Sequence, residues 1–149
     1  MGGIPYSYFV KYEPDLQNAL RALRDREFQA GRYNPAMPYV QFSHVFGADP
    51  AEPGAQHESI ADAMIAAEAD GTRSILDLDT VADEPGFGVA HRLGDAQLQE
   101  LFGTPRPTHE IVKNSHELFE QIERGQGVCI VVFKDDQPGE IFFAGYSYD

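Results

Sequence analysis

Several residues and patterns that mark particular protein classes are rare or missing in this chain of 149 residues. It has one cysteine, no tryptophan, and only 11 basic residues against 24 acidic ones. A single cysteine excludes an internal disulfide framework, and no apolar run approaches the roughly 18 residues of a membrane-spanning helix. Residues 1–6 lack a basic segment followed by an apolar one, so no secretion signal is predicted. These absences predict a cytoplasmic protein that does not bind membranes.

The shortage of basic residues is greatest in the middle of the chain. Residues 49–84 hold ten acids and one base, whereas residues 1–48 hold four acids and five bases. A net charge of −13 repels nucleic acid and anionic membranes, and it attracts cations and basic proteins. We therefore expect a basic protein partner and no direct binding of nucleic acid.

The residues that are present predict a single globular α+β domain over residues 1–149. The length suits one domain, and a hydrophobic fraction of 42% is typical of a globular chain. Apolar residues at helical spacing predict helices from Pro14 to Gly31, Ser59 to Asp70, Asp95 to Gly103 and Thr108 to Arg124, the last of which can divide at Asn114. Runs rich in β-branched and aromatic residues predict strands at Pro5–Tyr12, Tyr39–Phe46 and Ser74–Asp79, and a carboxyl-terminal hairpin. The expected fold is a mixed or antiparallel sheet of about five strands with three to four helices packed on it.

The hairpin predicted within residues 126–149 is expected to lie at the centre of the sheet. Its first arm, Gly127–Phe133, is apolar on both alternating faces, which is typical of an interior strand covered on both sides. Pro138 and Gly139 predict the turn between the two arms. We expect the rest of the chain to pack against this element.

Asp77 and Asp79 are the strongest candidates for functional residues, because a strand over residues 74–79 would place both on one face. Asp83 and Glu84 follow just past the end of that strand. Carboxylates gathered in this way can bind Mg²⁺ or Ca²⁺, or serve as the acid and base of glycoside hydrolysis. The alternative is that the charges keep an exposed strand face wet and discourage edge pairing.

Other reactive side chains do not form a motif. The next histidine after His109 lies seven residues on, so the two do not share a helix face as a pair of zinc ligands would. Cys129 falls in a predicted core strand without the basic neighbours that activate a thiol. The sequence therefore predicts no catalytic residues, no metal site and no cofactor.

Tyrosines lie near both ends of the chain. Tyr6, Tyr8 and Tyr12 share one face of the first predicted strand, and Tyr146 and Tyr148 lie in the last. If these strands are neighbours, the rings form one aromatic face, and tyrosine is enriched at protein interfaces. The alternative is that the rings are ordinary half-buried side chains between core and surface.

Charge, size and the absence of a catalytic motif predict a small acidic, non-catalytic protein that binds a basic protein partner, like an immunity protein or an inhibitor. The tyrosine face also allows a homodimer. The residues predicted to bind the partner are Asp70, Asp77, Asp79, Asp83, Glu84, Tyr146 and Tyr148. The alternative function is a small metal-dependent or carboxylate-based hydrolase that uses the Asp77/Asp79 cluster.

Overall fold

A computed structural model describes residues 3–34, 54–68 and 70–148. Within these ranges the chain forms an α+β fold with a five-stranded mixed sheet, which confirms the predicted fold class. The strand predicted at Tyr39–Phe46 lies outside the described residues. No helix in the described ranges combines the length and the hydrophobicity needed to cross a membrane.

Helices and strands are interspersed along the chain. In order they are β1 (Pro5–Lys11), α1 (Leu16–Ala30), α2 (Ile60–Ala66), a 3₁₀ helix (Ile75–Asp77), β2 (Thr80–Ala82), β3 (Val89–Arg92), α3 (Asp95–Phe102), α4 (His109–Lys113), α5 (Glu117–Glu120), β4 (Gly127–Lys134) and β5 (Gln137–Tyr146). The strand order in the sheet is β1-β5-β4-β3-β2. The pairs β1–β5 and β5–β4 are antiparallel, and the pairs β4–β3 and β3–β2 are parallel. The hairpin of β4 and β5 therefore lies within the sheet, as predicted.

The sheet separates two apolar clusters, because its strands alternate their side chains between the two faces. Tyr6 and Tyr8 of β1 pack with α1 on one face, whereas Phe9 packs on the other face. β4 is covered on both sides, with Cys129 in the first cluster and Ile130 in the second. The second cluster is closed by residues of the short helices, namely Leu98, Val112 and Leu118.

Helix α1 forms where its apolar spacing predicts. The Asp15 side chain accepts a hydrogen bond of 3.0 Å from the Asn18 backbone N–H, which satisfies one of the free N–H groups at the start of the helix. Gly31 ends the helix with a φ of 74°, a left-handed conformation that favours glycine. Leu20 and Leu23 are fully buried, and each such burial stabilises the fold by about 1.5–3 kcal/mol.

The turn of the hairpin lies earlier than predicted. Asp135 and Asp136 form a two-residue loop with φ of 52° and 66°, which is the geometry of a type I′ turn. Pro138 lies inside β5 opposite Phe133, at a register shift between the strands. The backbone N–H of Phe133 donates instead to Pro107 at 2.8 Å. A proline without an N–H is tolerated there because its opposite residue has turned to another segment.

The prediction of a strand over residues 74–79 is wrong. The chain forms a 3₁₀ helix at Ile75–Asp77, and strand β2 begins only at Thr80. The Ser74 hydroxyl accepts a hydrogen bond of 3.2 Å from the Leu76 backbone N–H. Local bonds of this kind from side chain to backbone compete with strand pairing, so they override the β-branched pattern.

Two of the other predicted helices are shorter or divided, whereas the one at Asp95–Phe102 ends at Gly103 as predicted. Helix α2 ends at Ala66 rather than at Asp70. The segment predicted to be helical over residues 108–124 is divided into α4 and α5, and Ser115 rather than Asn114 accepts a bond from the Leu118 N–H. Asp95 is the first helical residue of α3 and not its cap. Strand β3 was not predicted, because four residues are too few for a clear alternating pattern.

Candidate partner-binding surface

Asp77 turns into the molecule and is only 4% exposed. Its Oδ1 accepts hydrogen bonds from the backbone N–H and the hydroxyl of Thr72, at 2.8 and 2.7 Å. Its Oδ2 accepts a bond of 3.2 Å from the Arg73 N–H. Asp77 therefore orders the chain around Thr72 and Arg73, and it does not share a strand face with Asp79 as predicted.

The environment of Asp77 has opposing effects on its acidity. Burial raises the pKa of Asp77, and this is the largest influence on the group. The bonds from Thr72 and Arg73 and the charge of Arg24 lower the pKa and offset part of that rise. A carboxylate held in this way is a structural element rather than a surface contact.

Asp79, Asp83 and Glu84 turn outward and are exposed. The Asp79 backbone N–H donates to Gly88 at 2.9 Å, which holds the start of β2 against the end of the β2–β3 loop. Asp83 and Glu84 lie in that loop. Three of the four acids predicted from residues 77–84 are therefore exposed, one just before β2 and two in the β2–β3 loop.

Phe87 stands in the middle of this connection, and its side chain is 66% exposed. Its ring lies over Gly125, where an added Cβ would be only 2.3 Å from Phe87 Cε2. Gly125 has a φ of 75°, and its carbonyl accepts a bond of 2.8 Å from the Gly88 N–H. The ring is exposed, yet its position is determined by the backbone beneath it. Phe87 was not predicted as a site residue; the signal in the sequence was an aromatic residue between two glycines.

Tyr148 joins Phe87 to the ordered loop of Asp77. The Phe87 and Tyr148 ring centroids are 4.9 Å apart at an interplanar angle of 53°. A Cβ at Gly71 would lie 2.8 Å from Tyr148 Cε1 and 2.9 Å from Asp77 Oδ2, so the three residues are packed tightly. Burial and the nearby Asp77 raise the pKa of Tyr148. Asp70 is exposed and immediately precedes Gly71.

We group Phe87 and Tyr148, whose rings are in contact, with four exposed acids that precede Phe87 or Gly71 in the chain, and we call this set the acid-rimmed surface. It consists of Phe87, Tyr148, Asp70, Asp79, Asp83 and Glu84. Tyr146 does not belong to it, because its ring meets Phe119 edge-on at 5.7 Å among the cluster on the opposite face of the sheet. Tyr6 and Tyr8 are buried, so the single aromatic face predicted from both terminal strands is not formed.

A second buried acid was not recognised as such from the sequence. Glu27 and Arg32 are 2% and 3% exposed, and they form a bidentate ion pair. Arg32 Nε donates to Glu27 Oε1 at 2.8 Å, and Arg32 Nη2 donates to Glu27 Oε2 at 2.6 Å. The pair joins the last turn of α1 to the segment that follows it. Glu27 falls on the apolar side of that helix because its charge is compensated there.

The described residues include no group of three or more histidine, cysteine, aspartate or glutamate side chains that could hold a metal ion. His109 Nδ1 lies 2.8 Å from Glu140 Oε1, and His91 lines a cavity of about 450 Å³ with Glu100 and Glu123. Cys129 is buried, as expected of a core strand, and burial raises its pKa to about 12. At neutral pH such a thiol is a packing group and not a nucleophile.

Comparison with protein-family models, with curated proteins and with solved structures found no match for this chain.

Proposed function

We propose that the protein is a small non-catalytic binding protein that engages a basic protein partner through the acid-rimmed surface, as an immunity protein or inhibitor does. One observation carries the proposal. A large apolar ring, Phe87, is 66% exposed although the backbone at Gly125 and the Tyr148 ring hold it in place. Aromatic residues such as phenylalanine and tyrosine are enriched at protein interfaces relative to the rest of the surface.

The distribution of polarity on this surface also favours binding. Protein interfaces place aromatic anchors at the centre and polar groups at the rim. Here the rings of Phe87 and Tyr148 are in contact, and we propose that the four exposed acids of the set form the rim. Because the aromatic pair is already positioned, less side-chain entropy is lost when a partner binds.

The chemistry of the surface favours arginine on the partner. A guanidinium can stack on an aromatic ring and donate to a carboxylate at the same time, which an ammonium does less well. The carboxylates of Asp83 and Glu84 lie in the same loop as the Phe87 ring. A net charge of −13 would also speed the encounter with a basic protein, and this effect would weaken with salt.

The test begins with capture of a partner from lysate, followed by titration with the purified partner at low and moderate salt. Phe87→Ala should weaken binding by about tenfold or more, as truncation of a central anchor does. The triple variant Asp79→Asn, Asp83→Asn, Glu84→Gln should weaken binding and reduce its salt dependence. The matched control neutralises three exposed acids elsewhere, namely Asp25, Glu100 and Glu110. If the two triple variants lose affinity equally, general charge and not this surface is responsible, and the proposal fails.

The alternative in which Asp77 and Asp79 act as a paired acid and base depended on a shared strand face. Asp77 is instead buried and bonded to Thr72 and Arg73, whereas Asp79 is exposed. The geometry therefore offers no support for a reaction carried by these two residues.

A further inference from the structure

Strand β1 lies at one end of the sheet and has an outer edge that faces away from β5. The Tyr12 N–H donates to Gly139 at 3.1 Å, so the even-numbered residues of β1 are the ones that bond to β5. Hydrogen-bonded and non-bonded residues alternate along an antiparallel strand. Ser7, Phe9 and Lys11 therefore turn their backbone N–H and C=O groups outward.

The outer backbone groups of the two edge strands, β2 and β1, differ in their hydrogen bonding. At the β2 edge, Gln17 Oε1 accepts a bond of 2.8 Å from the Val81 N–H, and Gln17 Nε2 donates to the Asp79 carbonyl at 3.0 Å. A side-chain amide thus occupies the place of a neighbouring strand. At the β1 edge, no residue in the described part of the chain makes a backbone hydrogen bond to the outward groups. An edge of this kind is a template for another strand.

The ends of the β1 edge are protected, but its middle is not. Pro5 has no N–H to offer at the outward position, and Lys11 places a charge near the other end. Proline and lysine are common guards of exposed strands. Ser7 and Phe9 lie between Pro5 and Lys11. Their outward N–H and C=O groups can form hydrogen bonds with a short extended segment.

A groove adjoins the unguarded part of the edge. It has a volume of about 470 Å³ and lies between Ser7 on β1, Phe119 and Glu120 of α5, Tyr146 of β5, and His116 just before α5. Side chains opposite each other on neighbouring strands point to the same face of a sheet. A residue paired with Ser7 would therefore direct its side chain into this groove.

We propose that the groove docks an extended basic segment of a partner protein, which adds a strand to β1 and places a lysine or arginine opposite Ser7. The backbone of the segment bonds to the outward groups of Ser7 and Phe9. The stem of the basic side chain packs on Phe119 and Tyr146, and its charge meets Glu120. Main-chain bonds supply affinity in this mode of recognition, and the side-chain pocket supplies specificity.

Charge decides between this partner and a second copy of the chain. Glu120 lines the groove, Glu117 and Glu123 lie within three residues of it along the chain, and the whole chain carries −13. A second copy would bring like charges together, whereas a basic segment neutralises them. Two aromatic rings beside a carboxylate suit a cationic side chain with a long apolar stem. This site is separate from the acid-rimmed surface and stands whether or not that surface binds a partner.

The probe is a set of three acetylated, amidated heptapeptides that differ only at the central residue. The parent is Thr-Val-Thr-Arg-Thr-Val-Thr, and the central arginine is replaced by leucine or by glutamate in the other two. Titration into the ¹⁵N-labelled protein should give saturable shifts at the amides of Ser7, Phe9 and Lys11 and in α5. The arginine peptide should bind about fivefold more tightly than the leucine peptide, and the glutamate peptide should be weakest.

A matched pair of variants tests the strand addition itself. Ser7→Pro removes the outward N–H without removing a bond to β5, whereas Ser7→Ala keeps that N–H. Ser7→Pro should weaken the arginine peptide about tenfold, and Ser7→Ala should leave it unchanged. Glu120→Gln should reduce the preference for arginine over leucine. If Ser7→Pro does not fold, N-methylation of the peptide at the amides that face β1 replaces it, with methylation at the other amides as the control.

Four results would overturn the proposal. They are no saturable shift at millimolar peptide, shifts away from β1 and α5, equal binding of the leucine and arginine peptides, and full binding to the Ser7→Pro variant. Sedimentation of the protein alone provides the last check. A dimer that Ser7→Pro dissociates would assign the edge to a second copy of the chain instead of a basic segment.

Discussion

Two neighbouring stretches of the chain use their acids in opposite ways. In residues 71–78, Asp77 turns inward, and its two oxygens accept three hydrogen bonds from Thr72 and Arg73. In residues 79–88, Asp79, Asp83 and Glu84 are exposed, and so is the ring of Phe87. The comparison teaches that the role of a carboxylate depends on the donors folded around it and not on its spacing from other carboxylates.

The difference has a simple physical basis. A carboxylate can be buried only if hydrogen bonds or an opposite charge replace the water that it loses. Thr72 donates its hydroxyl and its backbone N–H to Asp77. Arg32 donates two guanidinium N–H groups to Glu27. The loop over residues 83–88 offers no such donors in its sequence, which is rich in proline and glycine. The inward acids should therefore affect folding, and the outward acids should affect binding.

The largest expected effect comes from Glu27→Ala. This change removes the carboxylate to which the buried Arg32 guanidinium donates, and it should lower the free energy of unfolding by about 3–5 kcal/mol. Urea denaturation at neutral pH measures the loss. Asp25→Ala is the control, because Asp25 is an exposed acid on the same helix and should change stability by less than about 0.5 kcal/mol. A loss below 1 kcal/mol in Glu27→Ala, on the order of an exposed ion pair, would show that the pair is not structural.

Asp77→Asn should have the next largest effect. The amide oxygen can still accept from Thr72, but the NH₂ group would face the Arg73 N–H that now donates to Oδ2. An unsatisfied buried donor of this kind costs about 1–3 kcal/mol. Asp79→Asn is the matched control, since Asp79 is exposed and two residues away. Equal stability of the two variants would remove the distinction between inward and outward acids.

The pH dependence of the same variant sharpens the comparison. Burial raises the pKa of Asp77, so the folded protein binds that proton more tightly than the unfolded chain does. The resulting stability is fully present below the unfolded pKa of about 3.9 and is lost as pH rises through the folded pKa. The advantage of the wild type over Asp77→Asn should therefore decrease as pH rises through that window. An advantage that increases with pH would mean that the hydrogen bonds outweigh burial.

Much of the antiparallel half of the sheet could be predicted from the sequence, and little of the parallel half could. β1, β4 and β5 are long and rich in apolar and aromatic residues, and α1 has a capping aspartate and a terminal glycine. β2 and β3 have three and four residues, which leaves no period to detect. Their parallel pairing also depends on crossovers that no local pattern encodes.

Only those members of the candidate site that local sequence features mark were predicted. Asp79, Asp83, Glu84 and Tyr148 were marked by charge or by residue type, and these are visible in the sequence. Phe87 was missed, because the position of its ring depends on contact with Gly125, a residue far along the chain. Asp77 was placed on the surface, because the sequence does not show that Thr72 folds back onto it. Tertiary contacts decided each of these cases.

A smaller effect on folding is expected from Gly125→Ala, which disturbs the support of the exposed ring. A methyl group at this position would overlap Phe87 Cε2, and the φ of 75° is unfavourable for alanine. Gly103→Ala is an unusually good control, because its φ is 78° and nothing lies within 4 Å of an added Cβ. The control should lose about 1–2 kcal/mol from the left-handed backbone alone. Gly125→Ala should lose at least as much, and only this variant should abolish the contact between Phe87 and Tyr148 in NOE spectra. Retention of that contact would show that Gly125 does not position the ring.

The smallest effect on stability is expected from neutralising the outward acids with Asp79→Asn, Asp83→Asn and Glu84→Gln together. The change reduces the net charge of −13 by three and removes no buried interaction. Stability should change by about 0.5 kcal/mol or less, and it should rise at low salt because self-repulsion decreases. The gain should disappear near 1 M salt, where the screening length falls to about 3 Å. A clear loss of stability would mean that these acids support the fold, as Asp77 does. A neutral or slightly stabilising result would mean that the fold does not need these acids, as the proposed role in binding requires.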